Sequence, residues 1–167
     1  MTEMYKKIGD QQECITKTRF CTTQHKSDYI TTLERLDPRI MVDLDSLEES
    51  GSEITGIIFL QLGERAFPEE RWNDFAAVIL SWWLAAIKNH ENEFSFMDGP
   101  FSFKVKGAEL ELWMNDRLET TYLIDSELIT YHILSAVQRV ITHLEDNGCK
   151  HVSLKRLKHD YQSFQTN

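Results

Sequence analysis

Acidic side chains two residues apart are the groups in this chain most able to do chemistry. Asp43 and Asp45 form one pair and Glu109 and Glu111 another, in segments whose alternating apolar residues predict strands. Because residues i and i+2 of a strand point to the same side of a sheet, each pair is expected to form an acidic stripe. A glycosidase-like pair would also need a cleft and one raised pKa. Solvated strand faces explain the stripes more simply, and a partner-binding acidic surface is the alternative.

Two further features extend this acidic surface. Glu48 and Glu49 are adjacent in a predicted turn, and Trp113 is expected beside Glu109 and Glu111 on one strand face. A tryptophan flanked by carboxylates is typical of the anchor and rim of a protein interface. In the alternative interpretation, a helix or the C-terminal segment covers this tryptophan. The predicted partner-binding residues are Asp43, Asp45, Glu48, Glu49, Glu109, Glu111 and Trp113.

The common catalytic and metal-binding motifs are absent from the sequence. It contains no glycine-rich phosphate loop, no dinucleotide-binding fingerprint, no His-Glu-x-x-His and no Gly-x-Ser-x-Gly. His132 and His143 share a face of a predicted helix but lie about 16 Å apart along it, too far to bind one metal ion. Cys149 and His151 would need further ligands to hold a soft metal. We therefore predict no enzyme activity, no cofactor and no metal.

The elements that must position these residues begin with strands. Residues 13–23 predict a first strand, and residues 40–44 and 54–62 predict a hairpin around a turn at residues 48–53. Residues 54–62 are almost wholly apolar, which is typical of a strand covered on both faces. A four-stranded antiparallel meander is predicted from residues 94–96, 101–105, 110–114 and 118–124.

The first predicted helix has an unusually wide apolar stripe. It is expected to begin at Pro68, and its stripe extends from Trp72 to Ile87. Such a helix is either buried on two sides or offers a flank to a partner. The narrow face left for water is predicted to consist of Asp74, Ala77, Ser81, Ala85 and Lys88.

A second long helix is predicted near the C-terminus. It begins at Asp125 or Ser126, either of which is a good N-cap, and it ends at Asn147-Gly148. Residues 150–167 form a basic, amphipathic tail that can dock weakly. The core stripe of the helix is predicted from Ile129, Ile133, Ala136, Val137, Val140, Ile141 and Leu144.

The composition is that of one acidic globular domain. The chain has 167 residues, of which 41% are hydrophobic and 27% charged, so we predict a single α+β domain over residues 1–167. Its formal net charge of −9 repels phosphate backbones, which argues against nucleic acid and favours a basic partner. Solubility alone is the simpler explanation of the acidic charge.

The cysteines and apolar runs indicate a cytoplasmic protein that is not in a membrane. Cys14, Cys21 and Cys149 are an odd number without a Cys-x-x-Cys spacing, which does not suggest a disulfide framework. The longest apolar run is broken by Ser81 and is too short to span a bilayer.

Three aromatic segments lie in the middle of the chain: FPEERWNDF at residues 67–75, WWL at residues 82–84 and FSFMDGPF at residues 94–101. This aromatic helix followed by a hairpin resembles small bacterial immunity proteins of toxin–immunity systems, over residues 54–149. The resemblance implies an acidic, cytoplasmic, non-enzymatic protein that blocks a cognate toxin domain, often a basic nuclease. It carries over no individual site residue.

The sequence thus predicts an α+β fold in which two long helices pack on a mostly antiparallel sheet made of the hairpin and the meander. The first functional hypothesis is an immunity protein that binds and neutralises a basic toxin domain. The second is a small ligand-binding or regulatory domain, a homodimer through its wide apolar helix. The third is an enzyme of unfamiliar type that uses unpaired carboxylates or His132.

Overall fold

The first sheet is built around one long central strand. The structure, a computed structural model, describes residues 35–166 of the chain. Leu60 pairs both with Ile40 and with Phe67, so the strands that contain these two residues lie on opposite sides of the central strand. The predicted pairing of the strand at residues 40–44 with that at residues 54–62 is confirmed, but residues 48–50 of the predicted turn form a strand of their own. The strands of this sheet are β1 (Pro38–Val42), β2 (Glu48–Ser50), β3 (Glu53–Leu62), β4 (Arg65–Phe67) and β5 (Asn73–Asp74), and the other four all pair antiparallel with β3.

A short 3-10 helix, Leu44–Ser46, separates β1 from β2. The Asp43 carboxylate caps it by accepting a hydrogen bond from the backbone N–H of Asp45 at 3.2 Å. Gly56 of β3 allows this turn to approach, because an added Cβ would lie 2.7 Å from Leu47 Cδ2. The predicted acidic strand stripe of Asp43 and Asp45 is therefore wrong, since local capping by a short carboxylate replaced the strand with a helical turn.

The second sheet is the predicted meander. Its strands follow in chain order, and each pairs antiparallel with the next. The register of the last pair shifts between Leu112 and Trp113, where the strand forms a bulge or irregularity. The prediction of a four-stranded antiparallel meander is confirmed. Its strands are β6 (Glu93–Ser95), β7 (Phe101–Lys106), β8 (Glu109–Met114) and β9 (Arg117–Leu123).

Three helices pack on these sheets, so the predicted α+β class is confirmed with one more helix than expected. They are α1 (Ala76–Lys88), α2 (Ser126–Asp146) and α3 (Val152–Gln165). The start of α2 is as predicted, because the Asp125 carboxylate accepts a hydrogen bond from the backbone N–H of Glu127 at 3.2 Å. All seven residues of its predicted core stripe are buried.

The first predicted helix begins later than expected. The carbonyl of Trp72 accepts a hydrogen bond from the backbone N–H of Ile58 at 2.8 Å, and Asn73 and Asp74 pair with β3. Backbone pairing with β3 therefore takes residues 72–74, which the sequence assigned to the second turn of this helix. The predicted water-exposed face is also wrong at Asp74, Ala77 and Ser81, which are all buried.

Burial of α1 on several sides explains its wide apolar stripe. It contacts β3, β6, α2 and α3. Trp83 is only 1% exposed, and its indole N–H donates a hydrogen bond to the carbonyl of Ser95 at 2.9 Å. Its ring also contacts Phe94, Phe96 and Phe103 edge-on. These contacts attach α1 to the second sheet, and of the large apolar side chains of α1 only Trp82 is strongly exposed.

The predicted basic tail is largely helical. α3 buries Leu154 and Leu157, and it packs against α1. At its start, the Ser153 hydroxyl donates a hydrogen bond to the Glu53 carboxylate at 2.5 Å. Near its other end, Lys88 of α1 donates a hydrogen bond to the hydroxyl of Ser163 at 2.8 Å. Burial of the leucines gives this segment a fixed position that its composition does not reveal.

Asp74 is a buried carboxylate, 2% exposed, that connects the first sheet to the meander. It accepts a hydrogen bond from the indole N–H of Trp72 at 3.0 Å and from the backbone N–H of Phe75 at 2.7 Å. It also accepts from the backbone N–H groups of Met97 at 3.1 Å and of Asp98 at 3.0 Å. Four donors on two chain segments, residues 72–75 and 97–98, therefore satisfy one carboxylate in the interior.

Two sequence predictions fall outside the described residues. The strand predicted at residues 13–23 lies there, and so does part of the single domain predicted over residues 1–167, which stays a prediction. Within residues 35–166, none of the helices has the length and apolar character needed to cross a membrane.

We expect Asp74→Asn to lower the free energy of unfolding by about 2–4 kcal/mol, because the amide has one acceptor atom for four donors and brings its own N–H₂ group to them. Urea denaturation measures this loss. The matched control is Asp116→Asn, which makes the same change at an exposed turn residue and should shift stability by less than about 0.5 kcal/mol. Equal stabilities of the two variants would contradict the role assigned to Asp74.

We expect Leu157→Ala to destabilise the protein by about 2–5 kcal/mol, because Leu157 is fully buried and its loss leaves a cavity under α3. Thermal unfolding followed by circular dichroism measures this effect. Val152→Ala on the same helix removes a side chain that is 65% exposed and should change the free energy of unfolding by less than about 0.5 kcal/mol. A neutral Leu157→Ala would mean that α3 does not dock on α1.

Candidate functional site

An open cleft lies between the 3-10 helix, β2 and the C-terminal end of α2. Its volume is about 470 Å³, and we call it the acidic cleft. Asp45, Glu48 and Glu49 line one wall. The other wall comes from the end of α2 and the loop after it, and includes His143 and Cys149. The fold thus brings three of the seven predicted binding residues into one concave site.

Within residues 35–166, no cation pairs with the carboxylates of the acidic cleft. Asp45, Glu48 and Glu49 are all exposed, and none of them forms an ion pair with a cation of residues 35–166. The C-terminal end of the α2 dipole adds partial negative charge to the same place. An acidic cleft of this kind attracts a cationic group.

Apolar side chains lie between the carboxylates. Leu44 and Leu47 are half-buried in the cleft wall, and Leu144 of α2 is buried beneath it. The combination of apolar and acidic lining suits lysine or arginine, whose side chains have an apolar stem and a charged end.

The Cys149 thiol is the one cysteine side chain among the described residues. Its Sγ donates a hydrogen bond to Glu49 Oε1 at 3.3 Å. Burial raises the pKa of the Cys149 thiol, and hydrogen bonding to Glu49 raises it further. The thiol is therefore protonated at neutral pH, and in that form it is a weak nucleophile and a weak metal ligand. In the part of the chain described, no cluster of three or more His, Cys, Asp or Glu side chains could hold a metal ion.

Glu111 and Trp113 occupy a different site, on the outer face of the meander. Glu111 Oε1 accepts a hydrogen bond from Lys106 Nζ, and its Oε2 accepts one from the Trp113 indole, both at 2.9 Å. Lys104 Nζ lies 4.6 Å from the centroid of the Trp113 ring and 3.0 Å from a carboxylate oxygen of Glu93. The Lys106 hydrogen bond, followed by the Trp113 hydrogen bond, holds the pKa of Glu111 below its usual range. This carboxylate therefore already has its partners inside the protein.

The remaining two predicted residues are outside both groups of contacts. Asp43 caps the 3-10 helix, and one of its carboxylate oxygens lies 3.8 Å from Arg71 Nη1. Glu109 is exposed at the start of β8, opposite Lys106 in the strand register. The predicted set of seven thus divides into the acidic cleft, a cap, an internally paired site and one solvated side chain.

Sequence reasoning missed the wall of the cleft that α2 supplies. From the sequence, His143 is considered only as a possible metal ligand, and Asn147 only as the end of a helix. The Asn147 side chain donates a hydrogen bond to the carbonyl of His143 at 2.8 Å, which closes the helix end beside the carboxylates. The helix-ending Asn147-Gly148 followed by Cys149 was the available signal, but nothing in the sequence links it to Glu49, which lies 100 residues earlier.

The chain matches no family model, and comparisons with curated proteins and with solved structures give no match either. The resemblance to immunity proteins of toxin–immunity systems therefore stays a prediction. The geometry and charge of the acidic cleft are therefore the basis for inferring function.

We expect the Trp113 indole N–H to report the ionisation of Glu111. The hydrogen bond from the Trp113 indole to the Glu111 carboxylate is charge-assisted at neutral pH. It weakens as the pH falls through the Glu111 pKa, which lies below the ordinary value of 4.5. An NMR titration of the indole resonances measures the midpoint, and Trp113→Phe assigns the peak. Glu111→Gln should abolish the titration, while the Trp83 resonance shows whether the protein stays folded. A midpoint at or above 4.5 would contradict this arrangement.

Proposed function

We propose that this protein is a non-enzymatic binding module whose acidic cleft receives a lysine or arginine side chain of a basic protein partner. One observation carries the proposal: Asp45, Glu48 and Glu49 line a concave site, and no cation of the described chain neutralises them. On the meander, by contrast, Glu111 is paired with Lys106.

Such a site would increase the rate at which a basic partner associates with the protein. Carboxylates around a concave surface focus the electric field, which raises the association rate of a partner with a complementary charge. The apolar wall formed by Leu44, Leu47 and Leu144 can contact the methylene groups of an entering side chain. The net charge of −9 acts in the same direction at longer range.

The biological role that fits this site is that of a bacterial immunity protein. In this proposal it acts in the cytoplasm and masks a cognate toxin domain that is basic, such as a nuclease. A nuclease surface presents lysines and arginines to the phosphates of its substrate, and an acidic protein can occupy them. Nucleic acid itself is not proposed as a ligand, since phosphates and the cleft have the same charge.

We do not propose a dimer through the wide apolar stripe of α1. The buried residues of that stripe are covered by this chain's own strands and helices.

The test is quantitative capture of partners by the tagged full-length protein from its native cells. We expect the wild type to retain a basic protein, and Glu48→Lys/Glu49→Lys to lose it. With the purified partner, this variant should bind about tenfold or more weakly, chiefly through slower association, and the difference should shrink at high salt. For the immunity role, the partner expressed alone should arrest growth, and co-expression of the wild type should restore it.

Glu64→Lys/Glu119→Lys is the matched control. It makes the same change of charge at two exposed carboxylates. Glu64 follows β3 at the end of the strand farther from Glu49, which pairs with Ile54 near its start. The control should therefore bind the partner as the wild type does. Equal loss of partner binding in both variants would mean that net charge, and not the cleft, determines binding. Capture of an acidic partner would contradict the proposal.

A further inference from the structure

α3 presents a basic face to solvent. Lys155 and Arg156 are exposed, and so are Val152 and His159, which lie close to them on the helix surface. We call these four residues the basic face. Leu154 and Leu157 point to the other side and are buried. Within the described residues no carboxylate forms an ion pair with Lys155 or Arg156.

The basic face begins beside the acidic cleft. Cys149 lines the cleft and lies three residues before α3. The Ser153 hydroxyl in the first turn of α3 bonds to Glu53 at 2.5 Å, and Glu53 follows closely after β2. β2 in turn carries Glu48 and Glu49. Two surfaces of opposite charge are therefore neighbours in one molecule, yet neither neutralises the other.

We propose that two copies of this chain associate symmetrically, with the basic face of each copy placed on the acidic cleft of the other. When two complementary surfaces are adjacent, a single two-fold axis between them forms both contacts at once. Lys155 and Arg156 then meet Asp45, Glu48 and Glu49 of the second copy. Each pairing occurs twice, so the weak attraction of individual surface charges is doubled.

This dimer does not depend on the proposed partner, but it uses the same cleft. A basic partner and a second copy would compete for Glu48 and Glu49, so the dimer is the form of the protein in the absence of its partner. Binding of the partner would release the monomer by mass action.

The test is sedimentation of the full-length protein over a range of concentrations. We expect the wild type to form dimers near 0.1 M salt, where a screening length of about 10 Å weakens the repulsion between two copies of net charge −9. The dimer should dissociate near 1 M salt, where the screening length falls to about 3 Å. Glu48→Lys/Glu49→Lys and Lys155→Glu/Arg156→Glu should each raise the dissociation constant of the dimer by about tenfold or more. Circular dichroism verifies that both variants fold.

Mixing the two variants is the decisive experiment. In the mixture the reversed cleft meets the reversed helix of the other variant, and the unchanged cleft meets the unchanged helix, so both contacts become attractive again. We expect a heterodimer of wild-type strength. Glu64→Lys/Glu119→Lys should dimerise as the wild type does.

Three results of the main experiments would overturn the inference, and one result of the control would do so as well. They are a wild type that stays monomeric at every concentration, variants that dimerise normally, and a mixture that stays monomeric. Equal loss of the dimer in Glu64→Lys/Glu119→Lys would also overturn it, because the effect would then follow net charge alone. Lys155→Glu/Arg156→Glu separates the two proposals, since it should lose the dimer and still capture a basic partner.

Discussion

A carboxylate in a protein interior is stable only where enough donors replace the water that it has lost, and this requirement organises the described part of the chain. Asp74 meets it with donors from Trp72, from the start of α1 at Phe75, and from the backbone at Met97 and Asp98. One side chain therefore relates the edge of the first sheet, a helix end and the loop between β6 and β7 of the meander. The position of α1 between the two sheets depends on all three, and Trp83 completes the attachment through its bond to the carbonyl of Ser95.

Two groups of carboxylates in this protein differ in their partners. On the outer face of the meander, Glu111 is held by Lys106 and Trp113, and Lys104 lies over the same tryptophan. At the end of α2, Asp45, Glu48 and Glu49 are left without cations from the described residues, in a place where the helix end adds more negative charge. Charges that are paired contribute to local structure, whereas charges left unpaired in a cleft are available to something else. This contrast, more than the net charge, is the reason to assign binding to the cleft.

Lys155 and Arg156 of the basic face have the same property with the opposite sign, although His159 beside them lies 3.4 Å from the carboxylate of Asp160. The charges of Lys155 and Arg156 are not used within residues 35–166, although the helix that carries them is firmly packed through Leu154 and Leu157. A rigid helix holds its charged groups in place, so little conformational entropy is lost when a complementary surface arrives. A flexible tail of the same composition would not present the charges in this way.

The sequence by itself determined the elements whose signals are local. The Asp125 cap, the Asn147-Gly148 ending and the apolar period between them were enough to place α2 and its buried stripe, and alternation with turn residues was enough for the meander. Residue type also identified the carboxylates of the cleft as candidates. Only the tertiary structure decided which of the predicted carboxylates lie together in the cleft. Asp43 became a cap, Glu111 was paired, and Glu49 met Cys149 from a distant part of the chain. The start of α1 was likewise decided by hydrogen bonding to β3. The physical reason is the same in each case: the free energy of these residues depends on donors, acceptors and apolar surfaces that are remote in sequence, and no local pattern records them.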